Sequence, residues 1–319
     1  MYEFSSSFAP QINEYLTFRK SLGFSKSHFK NLRFFDKYCC RSFPYETELS
    51  KEVVRGWFAD EIANGRKGFE NKASAIRGFA KYMGGNSYVL PMDYVPRKPP
   101  FVPYVPTKKE LVHLFEAASK ITLRNEPFIN RTIETMLKLI YSCGLRPNEC
   151  RCLRRKNISL TTGEILITNT KKNKERIVVM SDDMLSLMKN YDLTRSIAVG
   201  DSEYFFVNAK GNVLSAQAFR DKVIRCWVAA NPDIPKNELP NFRAYDLRHC
   251  FASTVLHKWI DEGRNLYAML PYLRAYMGHE RFEDTAYYIH ILPERLLTSP
   301  GVDWDKLDLI IPEVSVWEN

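Results

Sequence analysis

The feature that most constrains the fold of this chain is a cluster of prolines ahead of its midpoint. Six prolines fall between Pro91 and Pro106, interleaved with aromatic and branched residues. Proline lacks the backbone N–H that a helix needs and fixes φ, so this density excludes helix and stiffens the chain. Residues 91–106 are therefore predicted to be an extended linker, and a chain of 319 residues is long enough for a domain on each side.

The block before the linker, residues 1–90, is predicted to be helical throughout. Apolar residues recur at helical spacing in four segments, and the fourth runs roughly over residues 69–83. Lys72, Arg77 and Lys81 interrupt its small or apolar surface and could lie against a phosphate backbone, so they are candidate DNA-binding residues. The alternative is the solvated face of a helical bundle.

The block after the linker, residues 107–298, is predicted to be mainly helical with one β interruption. Thr107 and Glu110 form a capping-box pattern that opens its first helix. Residues 164–180 alternate like two strands around a polar turn, which is typical of a β-hairpin. The predicted fold class is mainly α with a small β-hairpin, in two domains.

The charge of the chain is basic in both blocks. The formal net charge is +9: residues 1–106 carry 16 Lys and Arg against 10 Asp and Glu, and residues 107–299 carry 29 against 22. The tail, residues 300–319, is acidic, with 1 Lys or Arg against 5 Asp and Glu. A polyanionic partner fits this distribution, and nucleic acid is the commonest one, although many basic proteins bind no nucleic acid.

The cysteines and the hydropathy pattern indicate a cytoplasmic protein. The seven cysteines are an odd number without the spacing of a disulfide framework or a usual zinc knuckle, so reduced thiols are predicted. No apolar run reaches the length of a membrane span, and the first residues do not show the pattern of a secretory signal.

Several residues of the second block form a set that can cleave a phosphodiester without a metal. Arg146 and Arg248 can neutralise the nonbridging oxygens through charge-assisted hydrogen bonds. A lysine on the hairpin can protonate the leaving 5′ oxygen. One of the tandem tyrosines, Tyr287 or Tyr288, is a candidate nucleophile, because neighbouring cations lower a tyrosine pKa, and a covalent phosphotyrosine keeps the bond energy for religation.

Four sequence segments resemble the motifs of the tyrosine recombinase (phage integrase) family. They read GLRPNE at 144–149, TKKNKER at 170–176, YDLRHCFAS at 245–253, and LRAYMGH at 273–279 with Tyr288 nine residues after its histidine. The resemblance covers the whole second block, and the helical first block resembles the core-binding domain of the family. It implies a two-domain, C-shaped clamp around double-stranded DNA that needs no metal or nucleotide cofactor.

The resemblance implies a role for each matching residue. Arg146 and Arg248 would be the two phosphate clamps, and Glu149 would be the acidic residue that supports the active site. His279 would hydrogen-bond the scissile phosphate, and Tyr288 would be the nucleophile.

Two of these assignments have competitors. Lys171 aligns with the general acid on the hairpin, and Lys172 is the alternative if the turn slips by one residue. Tyr287 competes with the neighbouring Tyr288 for the nucleophile's place, but the interval from His279 favours the latter. Three cations of the hairpin are candidate DNA-binding residues: Lys172, Lys174 and Arg176.

Tyr245 departs from the family pattern, because the position three before the second arginine is usually His or Lys. A tyrosine is a poor base at neutral pH, so either another group takes the proton of the nucleophile or the step is slower. His249 and Lys171 are candidates that the sequence does not rank. On its own, His249 is expected to be a packing or hydrogen-bonded structural histidine, like His257, and Arg146 alone could merely cap helix carbonyls.

The function implied by the resemblance is site-specific recombination. Tyr288 would cleave DNA to a 3′-phosphotyrosine and a free 5′-hydroxyl, followed by strand exchange through a Holliday junction and religation. The chain is expected to lack the arm-binding domain of the larger phage integrases and to resemble Xer-type and mobile-element recombinases. The alternatives are a type IB topoisomerase-like nicking-closing enzyme and a non-catalytic DNA-binding protein of the same fold.

The C-terminal tail, residues 299–319, carries much apolar surface for a terminus. It could fold onto its own domain. The resemblance implies another use, in which the tail docks on a neighbouring protomer and joins a homo-oligomer, a dimer or tetramer, on DNA.

Overall fold

A computed structural model describes residues 2–24, 27–95, 103–168 and 175–291, with side chains described up to residue 288. The chain divides into two compact units, Met1–Phe101 and Val102–Asn319. The bounds of the linker and of the tail stay predictions. Across the described ranges, no helix combines the length and apolar character needed to cross a bilayer.

The described residues of the first unit form four helices, as the apolar spacing predicted. They are α1 (Ala9–Ser21), α2 (Ser27–Ser42), α3 (Lys51–Ala63) and α4 (Phe69–Met83). Ser50 caps α3 by accepting a hydrogen bond from the Val53 backbone N–H at 3.2 Å. Phe35 and Trp57 are fully buried with their ring centroids 5.2 Å apart, so aromatic packing joins α2 to α3.

The structure corrects the prediction for Lys72. Its side chain is buried, and its ammonium group pairs with Glu61 of α3, which also pairs with Arg66. A charge is stable in such a core only when it is paired, so Lys72 joins two helices and is not placed to meet a phosphate backbone.

Arg77, which was expected to contact DNA, instead binds backbone carbonyl groups of its own unit. Its Nε donates a hydrogen bond to the Leu90 carbonyl at 2.8 Å, and its Nη2 donates to the Pro91 carbonyl at 2.5 Å. These bonds hold the segment after α4 against the helix. Lys81 is exposed, and its role as a DNA contact stays a prediction.

The second unit is mainly helical with one small antiparallel sheet, which confirms the predicted fold class. Its elements are α5 (Lys108–Lys120), α6 (Ile129–Cys143), α7 (Pro147–Arg151), a 3-10 helix (Arg155–Asn157), β1 (Glu164–Ile167), β2 (Arg176–Val179), α8 (Asp182–Val199), α9 (Ala216–Ala230), α10 (Asp246–Asp261), α11 (Leu266–Met277) and α12 (Glu283–Ile291). The helix α6 lies at the centre and packs against α5, α8 and α10. The predicted capping box is present, with Thr107 and Glu110 bonding each other's backbone N–H groups.

The predicted hairpin is present as the strands β1 and β2. They pair antiparallel, with Leu166 opposite Ile177, and the alternate residues Ile165 and Val178 are buried in the core. The turn between the strands lies outside the described residues. The predicted roles of Lys171, Lys172 and Lys174 fall on that turn and stay predictions.

Candidate active site

Five residues from the predicted motifs converge in the second unit from separate elements. Arg146 precedes the first residue of α7, and Arg248 lies in the first turn of α10. His279 follows the glycine that ends α11, Tyr288 lies on α12, and Arg176 begins β2.

Gly144 sets the close approach of the α6–α7 turn to α10. It ends α6 with φ of +61°, and a Cβ on it would overlap the ring of Phe251 on α10. Only glycine satisfies both the left-handed backbone and this contact. As a result, the Gly144 carbonyl accepts a hydrogen bond from Arg248 Nη1 at 2.6 Å.

Arg248 is the most deeply placed cation of the site. Its side chain is fully buried, and its Nη2 donates to the Met277 carbonyl at 2.6 Å, so it links the ends of α6 and α11. Burial lowers its pKa, as does the charge of Arg146, but a guanidinium keeps its proton at neutral pH. Its Nε has no hydrogen-bond partner within the described part of the chain. A charged group held in this way attracts an anion strongly.

Arg146 lies beside this group and is held by Glu149. Its Nη1 donates to Glu149 Oε1 at 2.7 Å, and its Nη2 donates to the Gly278 carbonyl at 2.8 Å. The second bond agrees with the capping alternative, but the side chain also stays partly exposed next to Arg248. Burial favours a lower pKa for Arg146, whereas its contacts with Glu149 and Tyr245 raise that pKa overall.

Arg176 supports the site through the same carboxylate, which corrects its prediction as a DNA contact. Its Nη1 and Nη2 donate to the two oxygens of Glu149 at 3.1 and 2.7 Å, and its side chain is 9% exposed. Burial favours a higher pKa for Glu149, but its bonds with Arg176 and Arg146 lower that pKa to about 2. The carboxylate is therefore ionised and orients two arginines.

Tyr288 lies at the centre of the cluster. It is 2% exposed, and its ring centroid lies 5.8 Å from that of His279, with the two rings nearly parallel. Burial raises its pKa to about 12, although the charge of Arg248 opposes this effect. The neighbouring Tyr287 is more exposed, and burial also raises its pKa. Contact with Arg248 and His279 therefore favours Tyr288 as the candidate nucleophile.

His279 is a neutral imidazole in this environment. Its Nδ1 lies 2.8 Å from Thr285 Oγ1, which fixes the ring against α12. Burial lowers its pKa to about 3, and the charges of Arg248, Arg146 and Arg176 act in the same direction. Its other nitrogen can meet a phosphate oxygen only as a donor, so the tautomer with the proton there fits the predicted role.

Tyr245 and His249 complete the site. Tyr245 directly precedes α10, and its ring centroid lies 5.2 Å from that of His249. The His249 ring also lies 5.3 Å from the Tyr288 ring and is buried. His257, by contrast, places Nδ1 2.8 Å from the Ser253 carbonyl one turn earlier, as expected for a structural histidine.

Comparisons with known proteins agree with this geometry. The sequence matches the phage integrase family over residues 105–295. It is 29% identical to y4rE of Sinorhizobium fredii, which is described as an integrase/recombinase, over 91% of this chain and 93% of that protein. It is 25% identical to the tyrosine recombinase XerC of Oceanobacillus iheyensis over 85% of this chain and 80% of that protein.

Solved structures show the same fold. The XerH site-specific recombinase bound to its difH substrate aligns with a TM-score of 0.62 at 20% identity, covering 85% of this chain and 77% of that one. The Tn1549 transposon integrase with circular intermediate DNA aligns with a TM-score of 0.61 at 15% identity, covering 87% and 94%. The resemblance carried by the four motifs is confirmed. Because the family match spans more than half of the chain, this protein belongs to the phage integrase family, the tyrosine recombinases that break and rejoin DNA.

Proposed function

We propose that this protein is a site-specific recombinase that cleaves one DNA strand with Tyr288 and holds its 3′ end as a phosphotyrosine. The observation that carries the proposal is the burial of Tyr288 against His279 and Arg248 in one cluster. Strand exchange through a Holliday junction and religation by the freed 5′-hydroxyl would complete the reaction. The matches to recombinases do not favour the topoisomerase-like alternative.

The two arginines supply the electrostatic part of the reaction. As the phosphorus gains a fifth oxygen, negative charge grows on the nonbridging oxygens, and fixed guanidinium groups stabilise it. Arg248 donates two of its five N–H groups to carbonyls, and Arg146 is held by Glu149 and Gly278. Both therefore keep donors for a phosphate.

Tyr288 must move before DNA can react. Arg248 is fully buried and lies in contact with Tyr288, so a phosphodiester would reach the guanidinium only when the Tyr288 side chain moves aside. That movement would also expose the phenol, whose pKa burial raises to about 12. DNA binding would thus expose the clamp and activate the nucleophile in one movement.

The remaining predicted roles belong to this proposal. Lys171, or Lys172 in its place, would protonate the leaving 5′ oxygen, and Lys174 would contact the DNA backbone. Double-stranded DNA would be the partner, with Lys81 among the contacts. Residues 299–319 would join protomers into a dimer or tetramer, and the protein would act in the cytoplasm on a mobile element or a Xer-like site.

The test begins with DNA fragments that the protein itself selects. The protein selects fragments from the DNA flanking its gene and from a random library, and each bound fragment is then nicked near the bound site. After cleavage, the short piece that carries the free 5′-hydroxyl dissociates, so the other end of the strand stays attached to the protein. We expect an SDS-resistant protein–DNA adduct with the wild type and with Tyr287→Phe, but none with Tyr288→Phe. An adduct lost only in Tyr287→Phe would overturn the assignment of the nucleophile. Tight, specific binding without any adduct would favour the non-catalytic alternative.

A further inference from the structure

His249 is a buried side chain that the proposed reaction leaves without a role. It is 8% exposed, and its Nδ1 has no hydrogen-bond partner among the residues that the structure describes. Buried polar atoms are paired in the great majority of cases, and an unpaired one calls for an explanation, which a catalytic role can supply. The imidazole is therefore a candidate for a function that appears only during the reaction.

The position of His249 places it on the candidate nucleophile. It follows Arg248 on α10, and its ring centroid lies 5.3 Å from that of Tyr288 with the planes tilted by 52°. The two rings pack against each other, so His249 is among the side chains next to the phenol of Tyr288. Tyr245 lies on the other side of the imidazole, at 5.2 Å between centroids.

Two other groups near Tyr288 are weaker proton acceptors. Tyr245 is a phenol like the nucleophile, and a neutral phenol is a poor base at neutral pH. His279 has Nδ1 engaged by Thr285, and its remaining nitrogen faces a cluster that includes Arg248. Three arginines, Arg248, Arg146 and Arg176, disfavour a proton on His279, whereas the carboxylate of Asp246 partly offsets the arginines near His249.

We propose that His249 is the general base of this recombinase, which accepts the proton of Tyr288 during cleavage and returns it during religation. The inference rests on the proposed role of Tyr288. As the phenol oxygen forms its bond to phosphorus, its proton passes to the imidazole, and the bond to the 5′ oxygen breaks. The leaving oxygen takes a proton from the general acid. In religation the 5′-hydroxyl attacks phosphorus and returns its proton to the general acid, while the imidazolium protonates the departing phenol oxygen, so all groups regain their starting states.

The charged groups around His249 act on it in opposite directions. Burial lowers its pKa to about 4, the negative charge of Asp246 raises it, and the charges of Arg243 and Arg248 lower it. The other titratable groups in contact are Tyr245, Tyr287, Tyr288 and His279. The imidazole is thus neutral at neutral pH, the state in which it can accept a proton.

The experiment measures the rate of adduct formation on a nicked substrate at saturating DNA for His249→Gln and His249→Asn. Glutamine places a polar atom near the imidazole Nε2 and asparagine near Nδ1, and neither is a base. Losing a general base is expected to slow cleavage by about 100-fold or more. The wild-type rate should be level from pH 6 to 8, whereas the variant rates should rise about tenfold per pH unit as hydroxide replaces the base. Thermal melting and DNA affinity check that both variants fold and bind.

A second substitution separates base catalysis from a packing role. Tyr245→His introduces an imidazole on the neighbouring turn of the same site, so adding it to His249→Gln should recover about tenfold or more of the lost rate. Packing damage would not be repaired by that change. Tyr245→Phe is the matched control in the same background, because it alters the ring without providing a base.

A substrate with sulfur in place of the bridging 5′ oxygen completes the test. Sulfur leaves without a proton, so this substrate should rescue Lys171→Ala but leave the defect of His249→Gln in place. Variants at 249 that cleave within about threefold of the wild type, or that the sulfur substrate rescues, would overturn the proposal. If Tyr288→Phe still forms an adduct, Tyr288 is not the nucleophile. That result would overturn the proposed function itself and is distinct from a normal cleavage rate in the His249 variants.

Discussion

Arg176 on β2 and Glu149 on α7 form a bidentate ion pair, with nitrogen–oxygen distances of 3.1 and 2.7 Å. The same carboxylate accepts a hydrogen bond from Arg146 Nη1 at 2.7 Å. The side chain of Glu149 therefore ties β2 to Arg146, one of the two proposed phosphate clamps. We expect the position of Arg146 to depend on this strand.

Replacing Arg176 with lysine tests this link. Lysine keeps the charge but cannot bridge both carboxylate oxygens, so Arg146 and the hairpin lose their alignment. We expect the cleavage rate at saturating DNA to fall roughly 10- to 100-fold, with little change in DNA affinity. Arg220→Lys, at an exposed position on α9, is the control and should leave both unchanged. Weaker binding with normal cleavage would instead restore Arg176 as the DNA contact that the sequence suggested.

The ion pair also predicts how stability depends on pH. The pKa of Glu149 is lowered from 4.5 to about 2, so its stabilising contribution is complete above 4.5 and is lost as the pH falls toward 2. The contribution at neutral pH is about 3 kcal/mol. In urea denaturation, the gap between the wild type and Glu149→Gln should be wide at pH 7 and should narrow below pH 4.5. For Glu203→Gln, which removes an exposed ion pair, we expect a gap of about 0.5 kcal/mol or less at either pH. An undiminished gap for Glu149→Gln at pH 3 would contradict the assignment.

Local signals in the sequence predicted much of this fold. The capping box of Thr107 and Glu110 and the alternation over residues 164–180 each involve neighbours in the chain, and both are present. The motif residues Arg146, Arg248, His279 and Tyr288 converge because their spacings match a family with a shared architecture.

Contacts between distant residues were not predictable in the same way. Arg176 and Glu149 are 27 residues apart, and the polar residues that precede Arg176 do not distinguish a buried partner of a carboxylate from a DNA contact. The sequence suggests that Lys72 is a surface cation on α4. Its burial becomes evident only from its ion pair with Glu61 of α3. The strand alternation that places Arg176 and Val178 on the same buried face was the one available signal.

The two lysines of α4 should therefore behave differently. Lys72→Met leaves Glu61 buried with only Arg66 as a partner, so we expect the first unit to lose about 3 kcal/mol of unfolding free energy. Lys81→Met changes an exposed side chain and should cost about 0.5 kcal/mol or less. If Lys81 contacts a phosphate, its replacement should reduce the slope of the logarithm of DNA affinity against the logarithm of salt concentration by about one. Equal stability of the two variants would contradict the structural role of Lys72.

Gly144 offers the sharpest test of how the backbone holds the clamp. Alanine there must adopt φ of +61° and also displace the Phe251 ring, whereas Gly263 has φ of +66° with open space around it. Both alanine variants pay about 1 kcal/mol for the left-handed backbone, and Gly144→Ala should lose a further 1 to 3 kcal/mol or so from overpacking. Only Gly144→Ala shifts the carbonyl that accepts a hydrogen bond from Arg248, so only it should slow cleavage per folded molecule.

A compensating change identifies the cause of the Gly144→Ala defect. Phe251→Leu removes the ring that the new Cβ would overlap, so the double variant should regain stability relative to the sum of the two single variants. Recovery of cleavage together with stability would mean that the turn returns to its place above Arg248. Strictly additive losses, or equal losses for Gly144→Ala and Gly263→Ala, would show that the approach of this turn to α10 does not set the position of the clamp.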